Sequence, residues 1–188
     1  MRAVALSEVF RDARIRIPFH SLDPGRILTK LNREYPLTDQ GEYFTMWLGT
    51  YQWSTQTLRY ATAGHPGGIL LRQDERGHVL GGKTWPIGFC PDEACSSYEV
   101  KVQAGDRLYV FSDGIFEVMN NHDEIWGRDR LRQTLEGFRA VSLEESLKRL
   151  IQASREWQEK DVFSDDVALL GLEFQIEGSD VRENSTKG

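Results

Sequence analysis

Two apolar segments of this chain carry aspartates at positions where a buried strand would end, and these aspartates could do chemistry. Asp113 interrupts "RLYVFSDGIFEVMN", residues 107–120, and has apolar residues on both sides. Asp165 and Asp166 open the segment "SDDVALLGLEF". Because an unpaired buried carboxylate is costly, Asp113 should have a partner or bind a cation. If the two segments form neighbouring strands, the carboxylates can meet, and such oxygen ligands favour Mg²⁺ or Mn²⁺.

Each aspartate site also has a structural interpretation, which the residues alone leave open. Asp-Gly is a common turn dipeptide, so Asp113 fits a turn between two buried segments. Asp165 and Asp166 fit a loop that precedes a strand. The metal site is therefore one of two hypotheses at this point.

The glycine-rich segment "TAGHPGG", residues 62–68, is a third candidate site. Glycine-rich loops hold phosphate when they open a helix. Here the segment lies between two predicted strands, which favours a turn that brings His65 to the end of a sheet. A lone histidine at such a turn is either catalytic or structural, and the pattern does not separate the two.

The strands that must position these residues dominate the middle of the chain. Residues 43–51 are apolar on both faces and predict a buried central strand. This strand is expected to form a hairpin with residues 57–63 after a short polar turn. A further strand pair is predicted at "GGILLR" and "GHVLG", and single strands at "SSYEVKV", "DRLYVFS" and "DDVALLGLEF".

Helices are predicted toward the two ends of the chain. Residues 1–15 approximate helical spacing, and a second helix starts with Asp23 as N-cap and Pro24 in its first turn. Residues 127–138 indicate a third helix. Ser142 and Glu145 form a capping-box pattern before a fourth. Strands in the middle and helices at the ends favour an α+β sandwich with antiparallel sheet.

Length and composition limit the classes of function. The chain has 188 residues, enough for one domain with a core, and its net charge of −6 argues against a nucleic-acid-binding surface. Cys90 and Cys95 form neither a CxxC motif nor a disulfide framework, and the four histidines lack zinc-site spacing. With no apolar run of about 18 residues and no signal peptide, we expect no membrane span and a cytoplasmic location.

Taken in order, these segments resemble the PPM-type metal-dependent serine/threonine phosphatases, in their SpoIIE/RsbU branch. "FTMWLGTYQWSTQTLRYATAGHPGGILL" resembles the strand–hairpin–AGHP segment of that branch, and "WPIGF" resembles its L-P-L-G motif. "GDRLYVFSDGIFEVMNNHDEIWGRDRL" resembles its G-D-x-L-x-x-Y-T-D-G-x-x-E block, and "SDDVALLGLEF" its closing D-D-x-T-L-L strand. The similarity covers roughly residues 3 to 174 in the family's order.

The resemblance implies a four-layer αββα sandwich with two central, mainly antiparallel sheets. It also implies two divalent cations, manganese or magnesium, held by acidic side chains at one end of the sheets. Carried onto this chain, Asp113 and Asp165 are the expected metal ligands and catalytic residues. His65, Gly114 and Asp166 are expected to contact the substrate or to support the ligands.

The function that the resemblance implies is that of a protein serine/threonine phosphatase domain in sigma-factor or two-component-type signalling. Its expected partners are a phosphoserine or phosphothreonine protein, such as an anti-sigma-factor antagonist, and an upstream sensor or receiver domain. A catalytically inactive, phosphatase-like protein-binding module is the alternative. A homodimer through exposed apolar surface is a further hypothesis.

One departure from the family concerns its first metal motif. No D-x-x-G-H-G segment occurs in the 188 residues, and "MRAVALSEVFR" resembles the helix downstream of that motif. The sequence is then a fragment of a longer protein, a sequence with a misplaced start, or a degenerate homologue. We expect residues 1–176 to form an N-terminally truncated domain that binds divalent metal weakly, and residues 177–188 to form a disordered tail.

Overall fold

The computed structural model describes residues 23–37, 41, 43–73 and 75–175. The helix predicted for residues 1–15 and the tail at residues 177–188 lie outside this part of the chain. The helices of the described part are α1 (Pro24–Glu34), α2 (Gly127–Gly137) and α3 (Leu143–Gln158). None of them is long and apolar enough to cross a membrane.

Two helices begin at the capping residues that the sequence predicts. The Asp23 carboxylate accepts a hydrogen bond from Arg26 N at 2.9 Å, and Pro24 occupies the first position of α1. The Ser142 hydroxyl accepts from Glu145 N at 3.2 Å at the start of α3. The Glu145 side chain pairs with Arg149 one turn on, so the second half of the predicted capping box does not form.

The strands of the described residues form two antiparallel sheets. In chain order they are β1 (Met46–Gln52), β2 (Thr57–Ala63), β3 (Gly68–Leu71), β4 (His78–Leu80), β5 (Tyr98–Lys101), β6 (Arg107–Phe111) and β7 (Leu169–Glu173). The first sheet has the order β1-β2-β5, and the second sheet has the order β4-β3-β6-β7. The predicted hairpin between β1 and β2 and the predicted pair of β3 with β4 are both present.

The described helices and sheets stack in four layers, and the side chains that alternate along the strands form a hydrophobic core between each pair of adjacent layers. On β6, Tyr109 and Phe111 pack against α2 and α3, while Leu108 faces the first sheet. Helix α1 covers the other face of the first sheet through Ile27, Leu28 and Leu31. The αββα arrangement expected from the sequence is therefore confirmed.

The prediction of a buried central strand at residues 43–51 is wrong. Strand β1 lies at the edge of the first sheet in the described part of the chain, and Met46 is its one buried residue. Its two apolar faces have another cause: α1 covers one face through Met46 and Leu48, and Trp47 on the other face packs into the inter-sheet core. A strand that is apolar on both faces is covered on both faces by other layers, but it can still lie at the edge of its sheet.

The last strand is shorter than predicted, and none of its residues is fully buried although the segment is apolar on both faces. Residues 165–168 form a loop, and β7 starts at Leu169. Leu170 and Leu172 pair with Val110 and Leu108 of β6, so they lie on the inter-sheet face. They are 54% and 46% exposed because β7 is an edge strand and the face opens at its rim.

Candidate metal centre at one end of the second sheet

Antiparallel pairing brings the three predicted sites to one end of the second sheet. Gly68, the first residue of β3, pairs with Val110 near the end of β6. Leu169, the first residue of β7, pairs with Phe111, the last residue of β6. The segment that follows β6 therefore meets the segments that precede β3 and β7. These three segments carry Asp113, His65 and the pair of aspartates.

A tight turn anchored in the core presents Asp113. Residues Asp113–Ile115 form a single 3₁₀ turn, in which the Asp113 carbonyl accepts hydrogen bonds from Phe116 N at 3.0 Å and Glu117 N at 2.9 Å. Ile115 is fully buried, and its carbonyl accepts from the Ser154 hydroxyl of α3 at 2.7 Å. Within the described residues, the half-buried Asp113 carboxylate has no hydrogen-bond or ion-pair partner.

Ser112 and Gly114 join this turn to the loop of Asp165 and Asp166. The Ser112 hydroxyl donates to the Asp166 carbonyl at 3.0 Å and accepts from Ala168 N at 2.8 Å. A Cβ at Gly114 would lie 2.6 Å from the Asp166 carbonyl oxygen, so the close approach of the two segments requires glycine. The two loops thus form one unit.

Negative charge accumulates where the loops meet. Local desolvation, followed by the charges of Asp113 and Asp165, raises the pKa of the Glu117 carboxyl above its usual value. Arg128 opposes this increase in part. Its guanidinium also donates to the Pro66 carbonyl at 2.9 Å, which ties the start of α2 to the loop of His65.

His65 lies beside this acidic group and is neutral at physiological pH. Burial lowers the pKa of His65 from 6.5 to about 4, although the charge of Asp113 raises it in part. His65 Nδ1 accepts a hydrogen bond from Gly67 N at 3.0 Å. The proton of the neutral ring is therefore on Nε2, which makes Nε2 a hydrogen-bond donor.

The segment "WPIGF", which resembles the L-P-L-G motif, lies against the loop of His65. Gly64, at φ +65°, approaches Pro86 of "WPIGF" so closely that a Cβ would lie 2.7 Å from Pro86 Cα. Gly64 N donates to the Thr84 hydroxyl at 2.9 Å. The AGHP and WPIGF segments are therefore neighbours in space as well as in sequence order.

The donor chemistry of this end fits a hard divalent cation. Asp113, Asp165 and Glu117 offer carboxylate oxygens, and the charges of the two aspartates act on Glu117 as negative charge that a cation would neutralise. No group of three or more His, Cys, Asp or Glu side chains converges tightly enough to hold a metal ion in the described part of the chain. The two predicted ligands therefore lie in one neighbourhood but do not form a complete coordination shell by themselves.

Sequence reasoning missed three residues of this neighbourhood. Glu117 stands at the fixed glutamate of the D-G-x-x-E block, and this is the sequence signal that could identify it. Ser112 precedes the aspartate, and nothing in its type announces a hydroxyl that bonds both loops. Arg128 lies in an ordinary amphipathic helix pattern, and no sequence signal connects it to Pro66, which is 62 positions away.

The sequence of this chain matches one protein family and is similar to two named proteins. The model of the family described as Stage II sporulation protein E (SpoIIE) matches residues 1–175. Phosphoserine phosphatase RsbU of Bacillus subtilis (strain 168) is 25% identical over 162 residues, which are 85% of this chain and 48% of RsbU. Protein IcfG of Synechocystis sp. is 27% identical over 109 residues, which are 56% of this chain and 17% of IcfG. The chain spans about half the length of RsbU and a smaller part, 17%, of the length of IcfG.

Solved structures share the fold. The SiaA-PP2C domain of Pseudomonas aeruginosa has a TM-score of 0.70 at 20% identity, covering 81% of this chain and 60% of that chain. A structure of the PP2C phosphatase domain of SpoIIE from Bacillus subtilis with a fragment of its regulatory domain has a TM-score of 0.68 at 19% identity. It covers 83% of this chain and 46% of that chain. With a family match over residues 1–175 and the fold of PP2C-type phosphatase domains, the chain belongs to the SpoIIE family.

Proposed function

We propose that this chain is a metal-dependent protein serine/threonine phosphatase domain that acts on a phosphorylated regulatory protein. The observation that carries the proposal is the meeting of the Asp113 turn and the Asp165 loop at one end of the second sheet. The name of RsbU, phosphoserine phosphatase, supports phosphoserine as the substrate group. An anti-sigma-factor antagonist is the proposed substrate protein, and a sensor or receiver domain is the proposed source of regulation.

Asp113 and Asp165 are the residues that would hold two divalent cations, manganese or magnesium. The phosphatase domain of SpoIIE from Bacillus subtilis has a structure described as manganese-presoaked, and RsbX has a crystal structure in complex with magnesium. Bound divalent ions supply an activated water and neutralise charge on the phosphoryl group. The unpaired Asp113 carboxylate and the raised pKa of Glu117 are the features of this chain that suit such ions.

The other residues of the neighbourhood have positioning roles in this proposal. Gly114 lets the two loops approach, and the Asp166 backbone holds them together through Ser112. Neutral His65 offers its Nε2–H as a donor beside Asp113, where it can orient a carboxylate or a phosphoryl oxygen. Arg128 places a positive charge at the edge of the same group.

Phosphatase assays with Mn²⁺ test this proposal. We expect the 188-residue chain to release phosphate slowly or not at all, since it contains no D-x-x-G-H-G segment that could supply a bridging aspartate. A longer form of the protein that includes such a segment should hydrolyse a phosphoserine peptide, and Asp113→Asn in that form should abolish turnover. Normal rates in that variant would make Asp113 a turn residue and overturn the proposal.

A catalytically inactive, phosphatase-like binding module is the second candidate. It is favoured by the lack of a three-donor metal cluster in the part of the chain that the structure describes. The coding sequence upstream of Met1 separates the two candidates. An in-frame D-x-x-G-H-G segment supports the enzyme, whereas a genuine start at Met1 supports the binding module.

A further inference from the structure

A cavity between the start of α2 and the second sheet adjoins the candidate metal centre. It has a volume of about 220 Å³, and its lining includes Pro66, Ile69, Val79, Phe111, Arg128 and Arg132. Pro66 follows His65 in the chain, and Phe111 lies two residues before Asp113. Arg128 is the arginine whose charge acts on Glu117. The cavity therefore shares its walls with the segments that carry the candidate site residues.

The floor of the cavity is apolar. Ile69 and Phe111 are each 2% exposed and belong to the core between the second sheet and the helices. Val79 of β4 pairs with Ile69, so its side chain lies on the same face of the sheet. Because Val79 belongs to an edge strand and is 52% exposed, the described helices leave this part of the face uncovered.

Helix α2 is held above the sheet near both of its ends. Near its start, the Arg128 guanidinium donates to the Pro66 carbonyl at 2.9 Å. Near its end, the Glu136 carboxylate accepts from Gly77 N at 2.8 Å. Closing the cavity over Val79 would require α2 to give up one of these contacts, so the cavity is a preformed feature of the fold.

The buried charge in the wall of the cavity is already neutralised by its neighbours. Arg132 is 4% exposed, and its guanidinium pairs with Asp129 at 3.2 Å and with Glu136 at 2.7 Å. These carboxylates lie on the same helix and leave Arg132 no demand for an anion from outside. An apolar floor beside a paired arginine favours a neutral, apolar occupant over an ion.

The size of the cavity points to one side chain of a larger molecule. About 220 Å³ is below the roughly 300 Å³ at which pockets for drug-sized ligands begin. A peptide whose phosphoryl group is held at the neighbouring metal centre can place a side chain here at high effective concentration. We propose that this cavity holds an apolar side chain, of about the size of leucine, that lies close to the phosphoserine in the substrate protein. This inference rests on the proposed phosphatase function and adds a residue preference to it.

Phosphoserine peptides that differ in one apolar residue test this preference. Each peptide has a background of glycine and serine and carries one leucine, placed at successive positions on either side of the phosphoserine, with alanine in its place in the reference peptides. The peptides are titrated into the full chain in saturating Mg²⁺. At one position, leucine should tighten binding roughly tenfold over alanine, because it buries about three more carbon atoms. The methyl resonances of Ile69 and Val79 should shift in NMR spectra with that peptide.

Val79→Trp fills the cavity and should abolish the preference for leucine while the alanine peptides bind as before. His78→Trp is the matched control, because His78 is the neighbouring exposed residue of β4 and lies on the opposite face of the strand. The proposal is overturned if no leucine position tightens binding, if Val79→Trp keeps the preference, or if His78→Trp loses it. Should Val79→Trp fail to fold, the methyl shifts of the unaltered chain decide, and shifts that avoid Ile69 and Val79 overturn the proposal.

Unphosphorylated serine peptides separate a failure of this inference from a failure of the proposed function. A leucine preference together with tighter binding of the phosphorylated peptides supports both. A leucine preference without any gain from the phosphate supports the cavity and counts against phosphoserine recognition at the metal centre. A gain from the phosphate without a leucine preference overturns the cavity alone.

Discussion

Asp165 and Asp166 are adjacent in sequence but have different surroundings in the structure. The charge of Asp165 acts on Glu117, and no such effect comes from Asp166. Asp166 contributes its backbone carbonyl, which accepts from the Ser112 hydroxyl. At the residue scale, these contacts favour Asp165 as the ligand and give Asp166 the role of fixing the loop.

We therefore predict that Asp165→Asn weakens Mn²⁺ binding more than Asp166→Asn does. Asparagine keeps the shape of the side chain but removes the charge that holds a hard cation, so the loss at Asp165 should be at least roughly tenfold. Titration calorimetry with Mn²⁺ measures both variants. Equal losses, or a larger loss at Asp166, would place the ligand one residue later.

His65 predicts a pH dependence of stability. Burial lowers the pKa of His65 from 6.5 to about 4 in the folded state, so the unfolded chain binds more protons between these two values. The stability that depends on neutral His65 is therefore present above pH 6.5 and is lost as the pH falls toward 4. We expect His65→Asn, which keeps an acceptor for Gly67 N, to reduce the slope of the unfolding free energy against pH in this window.

Urea unfolding at a series of pH values measures that slope, which for one proton is at most about 1.4 kcal/mol per pH unit. His122→Asn is the control, since His122 is exposed and lies in a turn. An unchanged slope in His65→Asn would mean that other groups control the acid sensitivity.

At the element scale, the close approach of the Asp113 turn and the loop before β7 depends on one glycine. A Cβ at Gly114 would lie 2.6 Å from the Asp166 carbonyl oxygen, a distance that neither backbone segment can accommodate without moving. We predict that Gly114→Ala separates the two loops, lowers the melting temperature and weakens Mn²⁺ binding. Thermal unfolding and Mn²⁺ titration measure the two effects.

Gly137→Ala is the matched control for this substitution. A Cβ at Gly137, the last residue of α2, has nothing within 4 Å, so alanine should be neutral or slightly stabilising there. If Gly114→Ala behaved like Gly137→Ala, the contact between the loops would not hold the site together.

At the scale of the whole molecule, the exposed edge strand β7 favours association with another chain. Leu170 and Leu172 expose 54% and 46% of their surface on the inter-sheet face, and β7 pairs with β6 alone among the described strands. Exposed edge strands with apolar side chains favour pairing with another chain. We therefore predict that this chain self-associates through β7.

Sedimentation velocity over a range of protein concentrations tests this prediction. Leu172→Lys places a charge on the edge strand and should shift the distribution toward the monomer. Val162→Lys is the control, because Val162 is 79% exposed but lies in a loop outside the sheet. A chain that sediments as a monomer at every concentration would contradict the prediction.

Features that depend on neighbouring residues were predictable from the sequence. The start of α1 at Pro24 and the start of α3 after Ser142 follow from capping residues one turn away. The β1–β2 hairpin follows from alternating segments separated by a short turn. The resemblance to the family also predicted the order of the layers and suggested the candidate ligands. Several motifs in the family's order identify a fold that no single motif specifies.

Features that depend on residues distant in the chain were decided by the tertiary structure. The edge position of β1 and the loop at residues 165–168 depend on which strands pair and on the Ser112 hydroxyl. The Arg128 charge reaches Glu117, and its guanidinium reaches the Pro66 carbonyl, only because antiparallel pairing brings strand ends together. Local patterns carry the short-range energies of caps and turns, whereas register, burial and shared electrostatic fields exist only after the chain has packed.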